Sequence, residues 1–381
     1  MQREDAAQLK QVQKDINQAA HAPGYVYASK EVFQKEIDEY FMKDWLFVGR
    51  EEELPNPGDY MAMNLVGEPV VIARDMEGNL SAFYNMCAHR GVEVAYGSGN
   101  ARALKCPYHG WTYDMKGKLR GAAFMKDCEG FDPAQTRMTP IRFGIWRRNM
   151  FICFSQDTVS LEEFVKDLEK DFGPLLQMEK TRLGNKTTVE LDCNWKLAYE
   201  NLMDFYHVRV LHANTFGSKF SWNEDAWELK DDGVSIFYKA GPSTPKGEPL
   251  LGKMPWLEDK DYTFASERYL NPNLTLFGRI DAARPFVVWP LSESRCRVII
   301  YHCFAEKVFE RPDIAEILKV YTDFMLRVVD EDRSMMESLQ RAMSCRGFKP
   351  GRMSVLERPI HHVLNRHIDR VLKTSKTDTN V

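Results

Sequence analysis

Cys87-Ala88-His89-Arg90-Gly91 is followed along the chain by Cys106-Pro107-Tyr108-His109-Gly110-Trp111. The pattern is C-x-H, sixteen intervening residues, then C-x-x-H. Two loops that each offer a thiolate and an imidazole can hold one small metal centre, and the fold of this stretch must be built around it. Cys87, His89, Cys106 and His109 are the ligand set of a 2Fe–2S cluster in which thiolates hold one iron and imidazoles the other. Neutral imidazoles lower the negative charge on such a cluster and raise its reduction potential, so it can take an electron from a ferredoxin or flavin donor. The competing reading is a structural Cys₂His₂ zinc site. Zinc explains neither the Arg-Gly after the first His nor the Tyr before the second. It also does not need each His to follow its Cys.

At 381 residues the chain exceeds the roughly 250–300 at which single cores stop growing, so two domains are expected. Lys plus Arg number 51 against 55 Asp plus Glu, a formal charge of −4. That balance suggests neither nucleic acid nor an anionic membrane as partner. No apolar run approaches the roughly 20 residues of a membrane span. The start, Met1-Gln2-Arg3-Glu4-Asp5, lacks the apolar stretch of a secretory signal. Of eight Cys, Cys128, Cys153, Cys193, Cys296, Cys303 and Cys345 have no metal spacing and read as thiols of a reducing compartment. A cytoplasmic location is the expectation.

Residues 8–20 and 30–42 read as helices, the second with Val32, Phe33, Ile37, Tyr40 and Phe41 on one side. From 59 to 154 short strands with Gly turns follow, including a pair joined at Gly67-Glu68-Pro69 and a hairpin loop at 114–118. This is a small all-β module around the cluster. Residues 160–180 read as helical. Strands are expected at 187–191, 232–240, 273–280, 285–290 and 295–305, and helices at 193–212 and 313–343. Residues 371–381 read as a frayed polar end.

A second constellation lies in Asn201-Leu202-Met203-Asp204-Phe205-Tyr206-His207-Val208-Arg209-Val210-Leu211-His212. On an ideal helix five residues turn about 140° net, so His207 and His212 cannot share a face unless the helix ends or bends near Leu211. Ala213-Asn214-Thr215-Phe216-Gly217 supplies a stop. Most helical His are packing or surface residues, but here a pair with an Asp accompanies an iron cluster, which favours ligands. Two His and a carboxylate form the facial triad of non-haem Fe(II) oxygenases, with open positions for O₂. Asp332 is the third ligand expected. Its helical neighbours Val328, Val329, Met335 and Met336 are apolar, and a carboxylate on an apolar face needs a partner. Asp330 and Glu331 read as surface acids.

The chain resembles the Rieske non-haem iron oxygenases, specifically the oxygenase (α) subunit, over nearly its whole length. The cluster motif at 87–111, Asn194-Trp195-Lys196, Glu200-Asn201 through His212, and Glu331-Asp332 with Glu337 and Gln340 carry the likeness, the last as in relatives of the choline, betaine and carnitine oxygenases. The resemblance implies an α+β protein. A Rieske β domain at 43–156 would precede a catalytic domain at 157–381, with a curved antiparallel sheet gripped by helices (START-like) and the N-terminal helices of 1–42 packed on it. It implies one cluster and one Fe(II) per subunit, a homotrimer without β subunit, and a ferredoxin or flavin reductase as electron donor. It also implies that Asp204 bridges His207 to the neighbouring subunit's His109, a second-layer carboxylate orienting a bound imidazole. Asp204 and Asn201 are thus expected in catalysis. The expected outcome is O₂-dependent oxidation of a C–H bond in a small organic substrate, by dealkylation or hydroxylation. Arene dihydroxylation and quaternary-ammonium oxidation are the alternatives.

The pocket wall is expected from Leu202, Phe205, Val210, Phe216, Ile236, Leu274, Phe277 and Phe286, an apolar set suited to a hydrophobic or aromatic substrate. Trp222, Trp227, Tyr238 and Trp256 would suit an ammonium cage. Lys116, Lys118, Arg142, Arg147 and Arg148 are expected to include part of a docking face for an acidic donor.

Overall fold

The computed structural model describes residues 3–221 and 226–373. Trp222 lies outside them, as does the polar end from 374. Val371 and Leu372, expected to fray, are buried. By internal packing the chain forms two units, Met42–Val165 and, separately, Met1–Phe41 with Lys166–Val381.

The chain enters through α1 (Arg3–Val12), α2 (Tyr25–Ala28) and α3 (Lys30–Glu36), which runs on as a π turn to Phe41. The helix expected over 8–20 stops at Val12 because the following chain turns to make a backbone bridge, Ala20 to Arg352, that a helix cannot make. Ser29 begins α3, its Oγ accepting from the Val32 amide at 3.3 Å.

The unit from Met42 is all β apart from two short helical turns, at Glu51–Glu53 and Leu161–Phe164. Its strands are β1 (Leu46–Arg50), β2 (Asp59–Leu65), β3 (Glu68–Arg74), β4 (Leu80–Tyr84), β5 (Ser98–Asn100), β6 (Ala103–Lys105), β7 (Thr112–Asp114), β8 (Leu119–Gly121), β9 (Pro140–Trp146) and β10 (Asn149–Cys153). They form a seven-stranded sheet, order β1-β10-β9-β4-β3-β2-β5, and a three-stranded sheet, β6-β7-β8. The β2–β3 turn is made by Val66 and Gly67, both left-handed with φ of 50° and 94°, as a tight hairpin requires. At 114–118, Asp114 Oδ1 accepts from the amides of Lys116 and Lys118, both at 2.9 Å, which sets the β7–β8 hairpin. Cys87, Cys106, Trp111 and Tyr113 share one core cluster, so the C-x-H and C-x-x-H loops grow from a single packed base. The short α4 (Leu161–Phe164) packs on Gly144 of β9. By internal packing residues 157–165 go with the β unit.

The other unit continues with α5 (Lys166–Leu176), β11 (Thr181–Leu191), α6 (Trp195–Met203), α7 (Phe205–Leu211), β12 (Trp227–Lys230), β13 (Gly233–Lys239), β14 (Phe264–Leu270), β15 (Leu274–Arg279), β16 (Ala283–Ser292), β17 (Arg295–Ala305), α8 (Ile314–Met343) and α9 (Arg358–His367). The seven strands form one antiparallel sheet, order β11-β17-β16-β15-β14-β13-β12. β14 escaped the sequence reading because its run Phe264-Ala-Ser-Glu-Arg-Tyr-Leu270 buries Ser266, Glu267 and Arg268 where alternation leads one to expect apolar residues.

On α8, Tyr321, Phe324, Met325, Val328, Val329, Asp332, Met336 and Gln340 are buried, a stripe at helical spacing. Asp332 is the one acid in it. Gln340 Oε1 accepts from the Asn194 amide at 2.7 Å, and Asn194 in turn caps α6 through the Lys196 amide. Glu36 receives Trp195 Nε1 at 2.7 Å and pairs with Lys196 Nζ at 2.5 Å, both buried. Helix α6 is thereby fixed at its first turn to both α3 and α8. No helix among the described residues is long and apolar enough to cross a membrane.

Candidate metal centres and active site

The two loops of the β unit have one design. Gly91 N donates to Cys87 O at 2.8 Å and Gly110 N to Cys106 O at 3.1 Å. Both glycines are left-handed, with φ of 78° and 74°, so each loop closes on a residue that a side chain would strain. Cys87 and Cys106 are buried, while His89 and His109 are exposed. The two histidines face each other, Nδ1 to Nδ1, at 3.1 Å. Two nitrogens bound at about 2.1 Å to one tetrahedral metal stand about 3.4 Å apart, close enough to the observed separation for the pair to fit one iron. Tyr113 Oη lies 3.2 Å from Cys87 Sγ and accepts from the Ala88 amide at 3.0 Å. A hydroxyl beside a metal-bound sulfur tunes its electron density. His89 stacks on Trp111 at 4.9 Å, which fixes that ring.

Lys116, Arg142 and Arg148, among the cations expected to face a donor, are engaged inside the unit. Lys116 pairs with Glu77 and Asp75, Arg142 donates to the carbonyls of Ser155, Thr158 and Val159, and Arg148 pairs with Glu51 and Glu52.

In the catalytic unit the helix expected over 193–212 is broken at Asp204. Its φ and ψ of −84° and 97° leave the helical region, and its Oδ1 caps α7 by accepting from the Tyr206 amide at 2.8 Å. Helix α7 ends at Leu211, with His212 as its C-cap, so His212 swings free of the helical course and meets His207. The two Nε2 atoms stand 3.1 Å apart, and Asp332 Oδ1 lies 3.4 Å from the first and 3.1 Å from the second. Among the described residues this is a group of three metal-ligating side chains with all ligand atoms within 4.8 Å. Three ligands at about 2.1 Å and right angles would stand about 3.0 Å apart, so the triad fits one metal with its remaining positions open.

Each ligand is held from behind. Asp204 Oδ2 is 3.3 Å from His207 Nδ1, in ion-pair range though not aligned as a hydrogen bond. Glu331 Oε2 is 2.8 Å from His212 Nδ1 and also accepts from Thr215 Oγ1 at 2.9 Å. Glu331, read from sequence as a surface acid, is therefore the carboxylate that orients His212. Asn201 Nδ2 donates to Asp332 Oδ1 at 3.3 Å. Burial disfavours charge on His207, but the carboxylates of Asp204 and Asp332 outweigh it and push its pKa up to about 9. Burial likewise opposes ionisation of Asp332, and the two imidazoles overcome it, holding its carboxyl below the usual range. A point this anionic attracts a cation.

The triad lines a largely apolar cavity that opens to solvent. Leu202, Phe205, Phe216, Phe277 and Phe286 line it as expected. Val210 does not. It is 83% exposed, and Val208 takes the inward place on α7, three residues after Phe205. Leu274 is three residues before Phe277 on β15 and so faces the other side of the sheet. Ile236 is buried on β13, two residues before the lining Tyr238, but is not part of the lining. Trp227 and Trp256 are absent from the lining, which leaves Tyr238 of the expected cage.

The wall also holds charges that the sequence reading missed. Arg284, Phe277 and Glu267 are successive partners across β16, β15 and β14. Glu267, Arg279 and Arg284 all line the cavity. The available signal was charged residues at inward positions of otherwise apolar strands.

Residues 44–132 match the Rieske 2Fe–2S domain and residues 178–374 the catalytic domain of the ring-hydroxylating alpha subunit. The carnitine monooxygenase oxygenase subunit of Acinetobacter baumannii is 33% identical over 195 residues, 50% of this chain and 52% of that protein. The chain thus matches about half the length of that relative. Chloroplastic choline monooxygenase of Spinacia oleracea is 26% identical over 358 residues, 90% of this chain and 76% of that protein. A solved quaternary ammonium Rieske monooxygenase has the same fold, with a TM-score of 0.77 at 22% identity, covering 94% of this chain and 98% of that one.

Proposed function

The chain belongs to the ring-hydroxylating alpha-subunit family, an oxidoreductase family with a Rieske cluster and a mononuclear iron as cofactors, and on that premise we propose that it is the terminal oxygenase of a multicomponent monooxygenase. The substrate RH is a small organic molecule with an apolar body, oxidised as RH + O₂ + 2 e⁻ + 2 H⁺ → ROH + H₂O. Where the carbon is an N- or O-methyl group, the hydroxylated product loses formaldehyde and the outcome is demethylation. Electrons come from a ferredoxin or flavin reductase, and the working assembly is a homotrimer. The observation that carries this reading is that His207, His212 and Asp332 converge on one wall of a largely apolar cavity.

Bound at the triad, an iron would supply the O₂-activating centre, and the Rieske cluster held by Cys87, His89, Cys106 and His109 the electrons. The chain's own residues do the rest. Glu331 and Thr215 fix the ring of His212, Asp204 that of His207, and Asn201 the free swing of Asp332. The phenylalanine wall excludes water from the reacting carbon. In an assembly, Asp204 of one subunit would also meet the cluster histidine of the next.

The test is product analysis of the iron-loaded protein with a surrogate reductase, on N-methyl, O-methyl and aromatic compounds. Iron content should be about three per chain from the two ligand sets. Two iron per chain with no substrate-coupled O₂ uptake would leave an electron carrier. Addition of two oxygens to a ring would make it a dihydroxylating enzyme.

A further inference from the structure

Arg284 differs from the other charges on the cavity wall in its unmet donors, although it too lies over aromatic rings, 5.5 Å from the centre of Tyr321 and 6.0 Å from that of Phe304. Glu267 has both oxygens engaged: Tyr238 donates to Oε1 and Tyr269 to Oε2, the latter at 2.5 Å, and Arg279 Nη2 is 3.8 Å from Oε1. Burial pushes its pKa up to about 6. Arg279 lies over the rings of Tyr238 and Phe277, 5.0 and 5.8 Å from their centres. Arg284 is 1% exposed. Its Nη1 reaches Ser243 Oγ at 3.3 Å, but its Nε and Nη2 find no acceptor among the described residues. Burial disfavours its charge, and Asp281 and Tyr321 act the other way. Asp281 Oδ2 receives the Tyr321 hydroxyl, and neither unmet donor of Arg284 reaches Asp281. A buried guanidinium edge with two unmet donors is a fork that matches a carboxylate.

We propose that the cavity takes a small organic acid with an apolar, ring-sized body, its carboxylate held on Nε and Nη2 of Arg284. This rests on reading the cavity as the substrate site. Ser243 lines the same cavity, and its hydroxyl, accepting from Arg284, is free to donate its own proton to the carboxylate. The wall does not suit a quaternary ammonium at the same place. A cation seeks aromatic faces, and those of Tyr238 and Phe277 already carry Arg279. Fixed at one end by Arg284, the acid lies with its body against Phe277 and Phe286, in the cavity that the metal triad also lines.

The test measures binding by calorimetry on the iron-loaded protein, with benzoate and phenylacetate, their primary amides, and choline. At least one acid should bind at least about tenfold more tightly than its amide, the loss expected when a charge-assisted pair becomes a neutral one. Choline should bind more weakly than the acid. Arg284→Gln should remove the acid-over-amide preference, and Ser243→Ala, a milder change, should reduce it. In parallel, nitric oxide bound to the Fe(II) site gives a paramagnetic signal that the acid should perturb. Equal binding of acid and amide, no binding of either acid, or tighter binding of choline would each overturn the carboxylate site. Absence of the nitrosyl signal itself would instead count against the mononuclear-iron reading on which it rests.

Discussion

The two metal sites of this chain are built on opposite plans. The cluster site is local: its four proposed ligands fall within 23 residues on two loops closed by left-handed glycines, with imidazoles at the surface and the Cys side chains buried. The triad is assembled across the fold, from a helix end at 207–212 and from a helix that arrives more than a hundred residues later, and Asp332 is buried. A local site depends on its loops and tolerates exposure, as suits a centre that must meet an electron donor. A site built from distant elements depends on packing and on neighbours that orient its ligands, as suits a centre that must keep water from its substrate.

The strongest way to break this contrast is to remove one ligand from each site. Asp332→Ala should deplete the mononuclear iron and bring turnover below detection, while the cluster keeps its paramagnetic signal. His109→Ala should abolish that signal, since an iron loses a ligand. Iron counts and paramagnetic resonance on both proteins check this. An Asp332→Ala protein with full iron, or a His109→Ala protein with an unchanged reduced signal, would mean that the ligand is assigned wrongly.

The same contrast explains what the sequence made legible. C-x-H and C-x-x-H announce themselves because loop geometry is written in neighbouring residues. His207 and His212 were visible as a pair, and Asp332 through the apolar company it keeps on α8. Glu331 was not. Its role depends on where His212 lands after α7 ends, and an acid on the flank of a helix looks the same whether it meets water or an imidazole. The strands at 233–239, 274–279, 283–292 and 295–305 followed from their patterns, but β14 did not, because its buried Glu267 and Arg268 break the alternation. The pocket showed the same bias: Phe205, Phe216, Phe277 and Phe286 were named, Phe220 and Phe324 were not, and neither were its arginines, since a buried charge has no signature until its partners are known.

The second tier of each site gives smaller effects. Glu331→Gln keeps an oxygen for Thr215 but loses the charge behind His212. Asp204→Asn does the same behind His207. Changes of this kind typically cost 10–100-fold in metal affinity or activity. The two should differ in kind. Glu331→Gln should weaken iron retention, read by dialysis against a chelator. Asp204→Asn should leave both centres loaded and slow electron transfer between them, read by single-turnover oxidation of the reduced cluster. If Asp204→Asn emptied the iron site instead, Asp204 would be a support of His207 alone and not a coupling residue.

The last effect expected concerns stability. Glu200, one residue before Asn201, is buried, and both its oxygens are 3.0 Å from the Tyr27 hydroxyl. Burial pushes its pKa up to about 7, from an ordinary 4.5. Between those two values the folded protein holds a proton that the unfolded chain has released. Stability from this group is therefore fully present below about pH 4.5 and falls as pH rises to about 7, by up to roughly 3 kcal/mol. Glu200→Gln is neutral at every pH and still offers an oxygen to Tyr27, so it should lack this slope. The difference in thermal midpoint between the native protein and Glu200→Gln should shift in favour of the variant from pH 5 to pH 7.5. A difference that stays constant over that range would show that Glu200 ionises normally, and that Lys196 and His21 supply all the charge its carboxylate needs.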